Sequence, residues 1–152
     1  MFKKILLIVF LLTLLSNCEY KPIYSNLNTS NYKIDIKEFT GDKEINKFII
    51  ENLSKHNQNK SNEKVNIKID TRYFKEILAK NTAGSITDYQ VKAITKFEID
   101  KNKTTKTLII EEKFNYQKLS DKYEEKSYEK TIKKNLATII SQKLIFRLSI
   151  IK

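Results

Sequence analysis

Apolar and charged residues alternate strictly along Tyr32-Lys33-Ile34-Asp35-Ile36-Lys37, which sends Tyr32, Ile34 and Ile36 to one face of a strand and the charges to the other. After Thr40-Gly41-Asp42, a turn and cap signal, the period changes. Ile45, Phe48, Ile49 and Leu53 fall at helical spacing with Lys43, Glu44, Lys47 and Glu51 opposite, predicting an amphipathic helix that lies on the sheet and runs out in the polar stretch from His56 to Asn62. Alternation then returns. Val65, Ile67, Ile69, Thr71 and Tyr73 mark a second strand, and its continuation through Phe74 to Leu78 requires a bulge or twist, because the apolar residues change face there. Tyr89, Val91, Ala93, Thr95, Phe97 and Ile99 mark a third strand, separated from the second by Ala79 to Thr87, a loop longer than a tight hairpin needs.

Asp100 to Thr104 turns the chain into a fourth strand, where Leu108, Ile110, Phe114 and Tyr116 share a face with Glu112, as at a sheet end or edge. Ser120-Asp121 opens a long final helix with Tyr128, Ile132, Leu136, Ile139 and Ile140 at three- and four-residue intervals. Its last part, Leu144 to Ile151, is apolar on more than one side and suggests a partner that an isolated domain lacks. The predicted fold class is α+β: a four-stranded, mostly antiparallel sheet with two helices packed on one face, in the order β-α-β-β-β-α.

The start of the chain follows a different logic. Lys3 and Lys4 precede an apolar run from Ile5 to Leu15, the charged and hydrophobic regions of a secretory signal. The run falls short of the roughly 20 residues that cross a bilayer, so it predicts a cleaved address and not a permanent span. Leu15-Ser16-Asn17-Cys18 resembles the lipobox of bacterial lipoproteins, with Asn17 where a small residue is usual, and predicts lipidation at Cys18. A single cysteine cannot form an intramolecular disulfide, and acylation would remove its reactive thiol. The expected organisation is a lipoprotein signal peptide over 1–17, a lipidated polar tether over 18–31, and a single α+β domain over 32–152. Two Gly and one Pro leave little room for a disordered linker.

Charge narrows the partners. The formal net charge is +11, and removing residues 1–17 takes away Lys3 and Lys4 and no acid, leaving +9. An exported basic protein meets phospholipid headgroups and lipopolysaccharide phosphates; no nucleic-acid partner is expected outside the cytoplasm. Candidate chemistry is sparse. His56 is the sole histidine, no CxxC or HExxH occurs, and Gly41 and Gly84 are too isolated for a phosphate-cradling loop. Glu111-Glu112 and Glu124-Glu125 are adjacent acids whose side chains diverge, so they are expected to be ordinary surface charge. No catalytic residue, metal site or cofactor is predicted, and the chain is not expected to be an enzyme.

The element order, behind a lipobox, resembles the LptE family of lipopolysaccharide-assembly lipoproteins. Cys18-Glu19-Tyr20-Lys21-Pro22-Ile23-Tyr24 is similar to that family's opening in alphaproteobacteria, with the Pro and both aromatics at matching spacing and Glu19 where Gly is usual. Thr87-Asp88-Tyr89-Gln90 resembles the start of the family's third strand, and the stretch from Phe114 to Tyr123 with Lys143 to Leu148 resembles its C-terminal region. The resemblance implies a lipoprotein anchored on the periplasmic side of the outer membrane, which plugs and helps assemble the LptD β-barrel and assists lipopolysaccharide transport to the surface. It implies lipopolysaccharide contact through Lys80, Lys118 and Lys122, without the loop Arg of some members. A basic sheet surface suited to lipid A phosphates is expected to contribute. The alternative is a stand-alone periplasmic lipid-anchored binding lipoprotein with another partner.

Overall fold

A computed structural model describes residues 32–57, 63–101 and 104–150; the signal peptide, Cys18 and the tether lie outside the described residues. The elements are β1 (Tyr32–Gly41), α1 (Lys43–His56), β2 (Glu63–Lys80), β3 (Ile86–Lys101), β4 (Thr104–Gln117) and α2 (Lys122–Ile150). The fold class, the order of elements and the meander of β2, β3 and β4 are as expected.

The sheet order is β1-β2-β3-β4, with β1 parallel to β2 and both other pairings antiparallel. A parallel pair needs a crossover, and α1 supplies it. The alternation seen in the sequence puts Val65, Ile67 and Ile69 of β2 and Val91, Ala93 and Phe97 of β3 on one buried face. Against that face α1 lays Ile45, Ile49 and Leu53, each fully buried, and α2 lays Ile132, Leu136, Ile140 and Leu144. Two threonines join the core because their hydroxyls satisfy each other: Thr71 Oγ1 and Thr95 Oγ1 are 3.0 Å apart.

Each helix begins on an aspartate. Asp42 Oδ1 accepts from the Glu44 and Ile45 N–H groups, and Asp121 Oδ1 accepts from those of Tyr123 and Glu124. Between β1 and α1 the chain turns at Gly41, whose φ is +87° and whose missing Cβ leaves room for the Thr71 carbonyl; a Cβ there would lie 1.9 Å from that oxygen. At the other end of α1, Asn57 accepts from the Ile34 N–H (2.8 Å) and donates to the Ile34 carbonyl (2.7 Å), so its amide stands where a fifth strand would pair with β1. A bulge at Lys37 further breaks the outer edge of β1.

Three expectations change in detail. The second strand runs to Lys80 and not to Leu78, and its irregularity falls beyond Ile77, so Tyr73, Lys75 and Ile77 keep one face and only Leu78 is displaced. The long loop shrinks to Asn81–Ser85, a closed hairpin turn: Asn81 Oδ1 accepts from the Ala83 and Ser85 N–H groups, and Gly84 takes a φ of +78°. The apolar end of the last helix divides, with Leu144, Ile145 and Leu148 buried while Phe146 and Ile150 face outward.

Candidate functional site: the hairpin end of the sheet

β2 is 18 residues long and outruns α1, so the end of the sheet carrying the β2–β3 hairpin is covered only by the first turns of α2. Lys80 closes β2 opposite Ile86, and the Lys118 N–H donates to the Thr87 carbonyl at 2.8 Å. Lys122 opens α2 four residues later. Lys80, Lys118 and Lys122, far apart in the sequence, thus gather at one end of the sheet, all exposed. An open cleft lined by Ile86, Thr87, Asp88, Gln117, Lys118 and Leu119 lies among them.

The same end carries apolar residues whose exposure the sequence pattern did not show. Tyr123 is 82% exposed, Ile77 51% and Leu78 49%; Phe74 and Phe114 are also exposed. The signal for Leu78 was the break in alternation after Tyr73, which placed apolar side chains on both faces. A further signal was legible in the spacing of Lys122, Lys126, Lys130 and Lys134: four exposed lysines at four-residue intervals, hence one cationic ridge along α2. Side chains able to meet acyl chains therefore stand beside side chains able to meet phosphates.

Beneath this end a polar and aromatic cluster fixes α2 to the sheet. Lys75 Nζ donates to Glu125 Oε1 (2.8 Å) and Glu129 Oε2 (3.0 Å) and lies 4.3 Å from the centre of the Tyr89 ring. The Tyr73 hydroxyl donates to Glu129 Oε1 at 2.9 Å. One helical turn on, Lys133 Nζ contacts Asp42 Oδ2 (2.9 Å) and Glu44 Oε2 (3.3 Å) over the face of Tyr73. Tyr128 completes the cluster edge-on to Tyr116.

Burial works against the charge of Lys75, yet its hydrogen bonds to the two glutamates hold its pKa above the usual lysine value. Burial, followed by the bond to Glu129, raises Tyr73 above the ordinary tyrosine range. Lys133 follows the logic of Lys75: burial opposes its charge, and Asp42 and Glu44 more than offset it. Glu125 therefore departs from the surface role expected for it, because it is half of the clamp on Lys75. Glu111 and Glu112 do diverge: Glu111 faces the open side of the sheet, and Glu112, on the helix side, pairs with Lys143.

The open face is not the basic surface expected. Charges of both signs alternate along its cross-strand rows, with Glu38, Lys68 and Glu98 in one, Asp70 and Lys96 in the next, and Glu76 pairing Lys92 beyond. Alternation along a strand selects polar residues for that face without selecting their sign, and here the signs pair across strands. Cation excess is concentrated on α2, not on the sheet.

Among the described residues no group of three or more His, Cys, Asp or Glu side chains is placed to hold a metal ion, and no helix is long and apolar enough to cross a membrane. His56 ends α1, outside the hairpin end.

No known protein family and no curated protein matches the sequence. Solved structures do match in fold. Rare lipoprotein B from Shewanella oneidensis aligns with a TM-score of 0.52 at 15% identity, over 71% of this chain and 93% of that one. A minor lipoprotein from Acinetobacter baumannii gives 0.58 at 12% identity, over 77% and 90%, and lipoprotein B from Nitrosomonas europaea gives 0.53 at 14%, over 76% and 83%. The α+β arrangement described above is thus a fold found among bacterial lipoproteins, and its elements span most of each of theirs.

Proposed function

We propose that this chain is a non-enzymatic outer-membrane lipoprotein, held on the periplasmic side by lipid on Cys18, which plugs and helps assemble an LptD-like β-barrel and assists lipopolysaccharide transport. The observation that carries the proposal is the hairpin end. A phosphorylated glycolipid presents anionic groups next to acyl chains, and Lys80, Lys118 and Lys122 with Ile77, Leu78 and Tyr123 offer the complement to both. The fold shared with bacterial lipoproteins and the lipobox-like sequence around Cys18 support the envelope location.

Such a role needs binding and no bond-making. The Lys75 clamp holds α2 against the hairpin end, so the lysines on both elements are presented on a rigid base. Purification of the mature lipoprotein from membranes is expected to bring down a large β-barrel protein; its absence in mild detergent would sink the plug proposal. Charge reversal at Lys80 and Lys118 should weaken lipopolysaccharide binding, with the difference from wild type shrinking as salt rises. Equal binding at low salt would remove those two residues from the site.

A further inference from the structure

The two edges of the sheet are finished differently. The β1 edge is closed by its bulge and by the Asn57 amide. β4 pairs with β3 in unbroken register from Thr104 to Gln117, has no strand beyond it among the described residues, and runs from a Thr-rich start through Leu108, Ile109 and Ile110 to Glu111 and Glu112. A long, regular, uncovered edge is a template for another strand.

Its hydrogen-bonding groups can be assigned. The Lys118 N–H bonds to the Thr87 carbonyl, and bonded pairs in an antiparallel ladder recur every second residue. Tyr116, Phe114, Glu112, Ile110 and Leu108 therefore bond inward to β3. The N–H and C=O groups of Thr107, Ile109, Glu111, Lys113 and Asn115 point away from the sheet.

Above this edge lies an apolar stripe. On α2, Thr138 faces α1, where Asn52 donates to its hydroxyl, whereas Lys143 faces β4, where it pairs with Glu112. Ile139, Phe146 and Ile150 lie four residues before, three after and seven after Lys143, so they share its β4-side flank, and all three are exposed. The flank thus joins a free strand edge to an uncovered apolar helix face.

We infer that this flank pairs with the same flank of a second copy of the chain, β4 against β4, giving a continuous eight-stranded sheet with the helices on one side. A two-fold axis through Glu112 makes the edge self-complementary. Glu111 of each copy then stands opposite Lys113 of the other, where in the single chain these two pair with each other at 3.0 Å. On the helix side Ile110 meets Phe114, both ways round. Lys143 reaches Glu112, the axial residue, so Ile139 and Phe146 lie about one turn to either side of the axis, and the symmetry sets Ile139 of one copy against Phe146 of the other. Glu112 then meets Glu112 across the axis, each carboxylate compensated by its own Lys143, whereas a register with Glu111 on the axis would set Glu111 against Glu111 and leave Lys113 opposite Ile109, so that both cross-copy ion pairs are lost. An extended peptide would fill the edge and leave the helix stripe bare. A closed barrel wall has no free strand to add, so the inference stands apart from the function proposed above.

Sedimentation velocity on the detergent-solubilised mature lipoprotein, separated from any β-barrel that co-purifies with it, tests it. The wild type should sediment as a concentration-dependent dimer. Lys113→Glu should raise the dissociation constant at least about tenfold, since it sets two pairs of like charges opposite one another, and adding Glu111→Lys should restore the dimer. Glu112→Cys should form an interchain disulfide on mild oxidation, because a non-hydrogen-bonded pair on the axis brings its Cα atoms to about 4.5 Å, while Thr105→Cys should not. A monomer at every concentration overturns the proposal. So does a dimer indifferent to Lys113→Glu that fails to cross-link through residue 112.

Discussion

Gly41 is a position where one hydrogen atom decides the geometry. Its left-handed backbone and the Thr71 carbonyl against it leave no place for a methyl group, so Gly41→Ala should lower stability by about 2–4 kcal/mol, read as a shift in the urea midpoint. Buried phenols make a second residue-scale prediction. Burial pushes Tyr32 up to about 12 from the ordinary value near 10, and Tyr73 is raised as well, first by burial and then by Glu129. A group whose pKa is raised on folding holds its proton more tightly in the folded state. Its contribution is whole below pH 10 and is lost as the pH rises through 12. The chain should therefore lose stability across that window, and phenolate absorbance from the buried tyrosines should appear together with the loss of circular dichroism. Ionisation of all eight tyrosines with the sheet intact would contradict this.

At the scale of elements, the contact between Asn57 and β1 joins the end of α1 to the edge of the sheet. Asn57→Ala should cost about 1–2 kcal/mol in two lost hydrogen bonds and leave the Ile34 peptide groups open, seen as faster exchange of the Ile34 amide. Lys75 ties α2 to β2. Lys75→Ala should cost about 1–2 kcal/mol, discounted for partial exposure, because it leaves Glu125 and Glu129 without their cation, and α2 should then lose amide protection in its first turns before its middle. The order of these elements was legible because each strand alternates with a period of two and each helix with a period near 3.6. Pairing was not legible. Nothing in Tyr32–Gly41 distinguishes a parallel strand from an antiparallel one, and nothing local links Lys75 to glutamates 50 and 54 residues away. The end of β2 was obscure for a related reason: Lys75 sits on the helix side of the sheet, so charge there no longer marked the solvent side.

For the whole molecule, the lysines at the hairpin end were legible as residues, through resemblance and not through pattern, while their convergence depends on the β2–β3 and β4–α2 connections meeting at one end. The apolar half of that end was hidden because exposed Ile77 and Leu78 look like core in a sequence. Cys18→Ala should move the protein from the membrane fraction to the soluble periplasmic fraction; unchanged membrane association would count against lipidation. The parallel pairing of β1 with β2 has a mechanical side. Tyr32, where β1 begins, stands at the end of the sheet opposite the β2–β3 hairpin. A pull applied through the segment before Tyr32, against a hold at the hairpin end, would run along the strands and strain the β1–β2 hydrogen bonds together in shear, instead of peeling them one at a time. The same ladder that closes the core would make the domain stiff along the line from Tyr32 to the hairpin, and weaker to forces across it.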